Sequence, residues 1–205
     1  MAAFFYINFF PIFIFYYSPE MSKLKASKGK LLVAEPSVLT DSSFNRSIIL
    51  LTEHDENGSV GFIFNKPTEY TIGDILPQIE STLRVYFGGP VSEGSLYYVH
   101  RIPELIPESI EISNGYYWGG DFDTVIELLK EDIISKHDIR FFLGYSGWSS
   151  LQLEEELSTY SWVVIENKFQ DLLEINHNSF WKDEITKFGG VYRIWANAPA
   201  NPSYN

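Results

Sequence analysis

Ser47-Ile-Ile-Leu-Leu-Thr-Glu53 and Ser59-Val-Gly-Phe-Ile-Phe64 are two apolar runs set around His54-Asp-Glu-Asn-Gly58. Asn57-Gly58 readily takes the positive φ angles of a tight reversal, so the stretch reads as a β-hairpin. Working outward, residues 30–35 form another strand, closed by Pro36. Further strands are expected at 84–87, 95–100, 109–112, 140–144, 162–165 and 190–195. Helices are fewer. Thr71-Ile-Gly-Asp74 has capping-box spacing and opens a short helix that ends before Pro77. Behind Asp121 or Asp123, the side chains Phe122, Val125, Ile126, Leu129 and Ile133 recur at helical spacing. One more helix follows Ser149, with Leu153 and Leu157 turned inward. Strands at hairpin spacing outnumber strand–helix–strand units, which favours an α+β fold over a doubly wound parallel sheet.

Charge and composition narrow the functions. The 205 residues carry 15 Lys and Arg against 27 Asp and Glu, a net charge of −12, so most of the surface repels a phosphate backbone. The only basic cluster along the sequence is Lys23, Lys25, Lys28 and Lys30, which reads as a solvated arm. No direct nucleic-acid partner is expected. The absence of cysteine excludes disulfides, thiolate zinc sites, iron–sulfur clusters and a cysteine nucleophile, and it fits a reducing compartment. His54, His100, His137 and His177 show no ligand spacing, so no metal site is expected, and no motif calls for a cofactor. His137 and His177 read as surface positions, and the five tryptophans as core cement.

Residues 2–17 are apolar and uncharged, with nine aromatics, yet too short for a comfortable membrane span and broken by Pro11. No basic residue precedes them as a secretory signal requires. Residues 1–20 are therefore expected to be an extension outside the native protein or disordered, with Met21 as initiator. Residues 21–28 then form the basic arm, 29–195 a single domain and 196–205 a tail. No membrane association is expected.

Several segments together resemble the AlgH/YqgE family of bacterial proteins. They are Gly29-Lys-Leu-Leu-Val-Ala-Glu-Pro36, Phe44-Asn-Arg-Ser-Ile-Ile-Leu-Leu-Thr-Glu-His54, Gly58-Ser-Val-Gly-Phe-Ile-Phe-Asn-Lys-Pro67, Tyr86-Phe-Gly-Gly-Pro-Val91 and Leu143-Gly-Tyr-Ser-Gly-Trp148, followed by Gln152-Leu-Glu154. The resemblance implies an α+β fold with a mostly antiparallel, branched β-sheet forming a pseudo-barrel, and a cytoplasmic location. The family's label is that of a transcriptional regulator. No helix-turn-helix pattern is present here and the charge has the wrong sign, so any regulation is expected to be indirect.

Candidate site residues come from the glycine-rich bends and the hairpin end. Glu53 and His54 sit where the hairpin leaves the sheet, a common location for functional side chains. Arg46 lies ~26 Å from His54 along an extended strand at ~3.3 Å per residue, too far to share one small site. It can bind an anionic ligand, or equally be an exposed arginine paired with a local carboxylate. Gly88-Gly89 makes a sharp bend that lets backbone approach closely. Gly144-Tyr-Ser-Gly-Trp148 reads as a strand-to-helix turn, with Ser149 as N-cap and Gln152 completing a capping box. His100 closes a strand and can meet His54 across the sheet. The expected cleft thus comprises Glu53, His54, Gly88, Gly89, His100, Tyr145, Ser146, Gly147 and Ser149. No coherent acid–base–nucleophile set emerges, which favours a non-enzymatic binding or regulatory protein acting on another protein or a small anionic metabolite. The alternative is a hydrolase-like enzyme for a small anionic metabolite, with His54 or Glu53 moving a proton.

Overall fold

The computed structural model describes residues 24–38, 41–169 and 171–198. The expectations for residues 1–20, for the first part of the basic arm and for 199–205 of the tail lie outside them. The described strands are β1 (Leu31–Ala34), β2 (Ile48–Asp55), β3 (Gly58–Ile63), β4 (Pro67–Thr71), β5 (Arg84–Phe87), β6 (Val91–His100), β7 (Ile110–Ser113), β8 (Tyr116–Trp118), β9 (Ile139–Ser149) and β10 (Trp162–Ile165). The helices are α1 (Ile72–Ile75), α2 (Phe122–Lys130), α3 (Gln152–Ser158), α4 (Phe180–Lys187) and α5 (Tyr192–Asn197).

The hairpin forms as its sequence dictates, with Asp55 opposite Gly58 and β2 antiparallel to β3. Sheet order is β10-β1-β2-β3-β9-β6-β8-β7, with β4 paired to β5 and β5 to β9. Only the β5–β9 pairing is parallel. The class is α+β, as expected, and the sheet branches. Its path ends at β10 and β7 rather than closing into a barrel.

The branch lies on β9. Ser146–Ser149 pair with β3, whereas Phe141–Leu143 pair with β5 along the same edge and with β6 along the other. The three chains cross where β5 ends. Gly88 N–H donates to Leu143 O at 2.8 Å, and Gly88 O accepts from Ile63 N–H at 3.0 Å and from Ser146 Oγ at 3.0 Å. Gly144 and Gly89 have φ of +67° and +150°, and their backbones touch. A Cβ on Gly144 would lie 2.3 Å from Gly89 O, so the crossing admits no side chain.

β9 also divides two cores, because successive strand residues face opposite ways. Phe142 joins the larger cluster, with Leu31–Ala34, Ile48–Leu51, Phe62, Trp162 and Trp181. Phe141 and Ile139 join the smaller one, against Val125 and Leu129 of α2. Burial on both faces explains why β9 shows no apolar–polar alternation. The capping box at Thr71 and Asp74 is present, as is the Asp121 cap of α2. Ile133 falls beyond α2 and is 51% exposed.

Two sequence expectations are overturned. Residues 144–148 are not a turn into a helix but the continuation of β9, which runs on to Ser149. The bend at Gly144 is absorbed where β9 changes partners. Residues 190–195 do not form a strand. From Tyr192 they are helical, held by Tyr192 Oη donating to Glu35 Oε1 at 2.9 Å and by burial of Ala196 in the larger core.

Candidate functional site

The structure brings part of the expected cleft together. His54 Nδ1 lies 2.8 Å from Ser59 Oγ, and its Nε2 3.7 Å from Glu154 Oε1 of α3. Ser150 Oγ donates to Glu56 O at 2.7 Å, tying the hairpin loop to the corner after β9. Glu53 is exposed beside it. Gly88, Gly89, Tyr145, Ser146 and Gly147 gather at the branch, but there backbone packs on backbone. The Ser146 hydroxyl is fully buried and committed to Gly88 O. Tyr145 packs edge-on against Tyr97 at 5.6 Å. These glycines serve chain crossing.

Ser149 is not an N-cap. That position belongs to Leu151, with a left-handed backbone, and Gln152 Oε1 accepts from the Ser149 N–H at 3.1 Å. Trp148 and Trp162 both donate their indole N–H to Glu156 Oε2, at 2.9 and 2.7 Å, and so pin α3 to the sheet.

His100 does not join His54. It pairs with Ile139, at the other end of β9 from Trp148 and Ser149, and is fully buried. Its Nδ1 accepts from Ile102 N–H at 3.3 Å, which puts the proton on Nε2, 3.2 Å from Gly119 O. Ser109 Oγ donates to Ile106 O at 2.6 Å and lies 3.0 Å from that Nε2. Each polar atom is spent on holding loops. Burial pushes the imidazole pKa down, consistent with a neutral structural histidine.

The chemistry concentrates elsewhere. A cavity of about 430 Å³ opens beside the start of β9, between β5 and the segment 173–177. Arg84, Lys136, His137, Arg140 and His177 line it, with Glu174 as the single carboxylate among the described lining residues. Arg140 is 6% exposed. It packs over the rings of Tyr86 at 4.3 Å and Phe64 at 5.2 Å. It donates to Phe64 O at 2.8 Å and to Leu173 O. Among the described residues it forms no ion pair. Asp171, the carboxylate whose field supports its charge, is held by Arg101 at 2.8 Å. Burial lowers the guanidinium pKa from its usual value, against the opposing fields of Tyr86, Tyr116 and Asp171.

Half-buried His177 stands 6.0 Å edge-on from Tyr86, and its pKa is lowered by burial and by the charges of Arg140 and Arg84. It keeps a partly exposed surface position while lining the cavity. His137 is half-exposed and touches Glu174.

A second cavity, of about 270 Å³, adjoins the first through His177, which lines both. It is walled by Asn45, Arg46, Asn65, Lys66, Trp181 and Lys182. Arg46 is not paired with a local carboxylate. Its Nη2 donates to Ala198 O at 2.6 Å, it lies 5.2 Å over Trp181, and its Nε is buried without a partner among the described residues. Asn65 bridges to β2, accepting from Ile48 N–H and donating to Arg46 O. Lys66 donates to Ser43 O at 2.7 Å, and burial lowers its pKa to about 8 against the opposing field of Asp41.

The two cavities thus draw six of the chain's 15 Lys and Arg and one of its 27 Asp and Glu. This concentration overturns the reading that no basic patch exists. It was hidden because its six cations come from five stretches spread along the chain, only Lys136 and Arg140 lying close together. The one sequence signal was Arg140, set inside the apolar run Ile139-Arg-Phe-Phe-Leu143. Among the described residues, no group of three or more His, Asp or Glu is placed to hold a metal ion. No described helix is long and apolar enough to cross a membrane.

Fold and site together define an α+β protein with a branched, mostly antiparallel sheet and a cationic hollow beside its central strand. Residues 31–193 match the AlgH-like family model, and the chain belongs to that family. It is 39% identical to a UPF0301 protein of Cytophaga hutchinsonii over 181 residues, 87% of this chain and 99% of that one. It is 38% identical to one of Bacteroides thetaiotaomicron over 188 residues, 91% and 95% of the two chains. The solution structure of the AlgH protein from Pseudomonas aeruginosa shares the fold, with a TM-score of 0.65 at 21% identity, covering 89% of this chain and 97% of that one. The crystal structure of protein DIP2367 from Corynebacterium diphtheriae gives 0.64 at 20% identity, over 85% and 94%.

Proposed function

We propose that this chain is a non-catalytic binding protein whose ligand is a small anionic metabolite held in the cavity beside Arg140. The observation that carries the reading is a buried guanidinium lining an open cavity with no carboxylate paired to it. Leaving a charge buried and unpaired is costly, and an incoming anion relieves that cost. The site is concave and Arg140, which lines it, is buried, which suits a small anion better than a duplex backbone, whose contacts need an exposed basic stripe. Regulation, on this reading, acts through the bound metabolite in the cytoplasm.

Titration calorimetry with inorganic phosphate at pH 7 tests the reading. Saturable binding is expected, weakened about tenfold by Arg84→Ala, the loss of one charge-assisted contact. No binding, or binding indifferent to Arg84, would contradict it. Glu174→Gln removes the cavity's only negative charge and is expected to tighten phosphate several-fold in the same assay.

His177 adds a pH dependence. Its folded pKa lies below the ordinary 6.5, so the unfolded chain binds more protons in that window. Stability therefore falls as pH drops from about 6.5 through the folded value. An anion reverses the shift by favouring imidazolium. Sulfate, whose charge is constant over this range, is expected to bind several-fold tighter at pH 5.5 than at pH 8, and His177→Gln to flatten that slope. Glu35, raised to about 7 by burial, titrates in the opposite sense. The wild-type minus variant difference isolates the histidine.

The hydrolase-like reading has one observation in its favour, the row Ser59–His54–Glu154. Ser59 is 5% exposed, and neither cationic cavity reaches it. Turnover of ester or phosphoester substrates that is lost in both Ser59→Ala and His54→Ala would establish this alternative.

A further inference from the structure

We infer that the ligand carries at least two anionic groups in one molecule, an oligophosphate chain, with one group against Arg140 and the next against Lys66 and Lys182 in the smaller cavity. This rests on the binding reading above and extends it to ligand class. Three observations support it.

The cavities are neighbours by construction. Phe64 O holds Arg140 in the first, and Lys66, two residues on, walls the second. Across the β4–β5 pairing, Pro67 faces Tyr86 of the first cavity, and Phe87 N–H donates to Lys66 O at 2.8 Å. His177 is the shared wall.

The second cavity is also short of counter-charge. Among the described residues Arg46 has no carboxylate partner, and Lys66 is half-buried with a backbone carbonyl as its hydrogen-bond acceptor. Lys182 is exposed at the rim. Burial lowers the pKa of both Arg46 and Lys66, in Lys66 against the opposing field of Asp41. Its remaining polar residues are neutral: Asn45, Asn65 and Asn178.

Among the described residues that line the two cavities, the single carboxylate is Glu174, which belongs to the first and touches His137. Among the cavity-lining residues, nothing negative separates Arg140 from Lys66. A single phosphate satisfies one cluster and leaves the other bare, whereas a linked chain serves both for one loss of translational freedom.

The test compares orthophosphate with tripolyphosphate on the full chain by calorimetry at fixed ionic strength. Tripolyphosphate is expected to bind at least tenfold tighter. Lys66→Met and Lys182→Gln are each expected to weaken tripolyphosphate several-fold while leaving orthophosphate unchanged, and Arg84→Ala to weaken both. Lys182 is exposed, so its variant guards against a folding defect in the Lys66 variant. Adenosine triphosphate run alongside separates the sources of the chain. Equal affinity assigns a free oligophosphate, higher affinity a nucleotide, and either supports the inference. Orthophosphate bound through Arg84, with tripolyphosphate no tighter or insensitive to Lys66 and Lys182, overturns this inference and leaves the binding reading standing. If neither anion binds, both fall.

Discussion

Arg140→Met is expected to weaken phosphate binding at least a hundredfold while changing stability by no more than about 2 kcal/mol. The two effects separate because opposing terms act on stability. The variant strands two carbonyls, Phe64 O and Leu173 O, at a cost of about 1–3 kcal/mol for each that stays dry. It also removes a buried cation that lacks an ion-pair partner, and replacing such a charge with an apolar side chain of similar volume is often neutral or stabilising. Methionine fills the space between the Tyr86 and Phe64 rings. Binding has no such compensation, since the cavity loses its central cation. Arg140→Lys keeps the charge but not the planar fork that reaches both carbonyls, so intermediate affinity is expected. Parallel calorimetry and thermal denaturation check both halves. Loss of stability by 4 kcal/mol or more with intact binding would recast Arg140 as a purely structural clamp.

Gly89→Ala is expected to prevent folding. At φ +150° its Cβ would fall 2.3 Å from Tyr145 C and 2.4 Å from Ser146 N, both backbone atoms of β9. No side chain can swing aside to relieve the overlap, so either β9 or the end of β5 must move. Because Gly88 O links β3 and β9 at this point, such a shift breaks the branch itself. The loss should exceed about 4 kcal/mol, a large part of the 5–15 kcal/mol that holds a typical domain together. Gly94→Ala is the control, since no atom lies within 4 Å of its added Cβ, and it should be neutral. Urea denaturation of both variants measures the contrast. A Gly89→Ala protein as stable as wild type would mean that the crossing is looser than described.

Local signals made much of the fold readable. The Asn57-Gly58 hairpin, the Thr71–Asp74 capping box, the stripe of α2 and the apolar run of β10 each depend on residues close together in sequence. Reading failed where the deciding contact is distant. Gly144 and Gly147 look like breaks, yet β9 continues through them because β3 takes over the pairing that β5 gives up. Val191-Tyr-Arg-Ile-Trp195 has strand composition but folds as helix, where burial of Ala196 and the Tyr192–Glu35 contact decide the outcome. The site was the least legible part. The hairpin end and the corner after β9 do meet, but His100 lies at the far end of β9, and the branch glycines enclose backbone rather than a ligand. The cations that do converge are spread from Arg46 to Lys182, so neither charge runs nor motifs reveal them.

The central claim, that an anion belongs beside Arg140, is tested most directly by nuclear magnetic resonance of arginine Nε–H and histidine ring signals during a phosphate titration. Saturable shifts concentrated on Arg84, Arg140 and His177 are expected, with Arg193 and His100 unmoved. Silence at Arg140 and His177 while signals elsewhere respond, or no saturable shift at all, would contradict it.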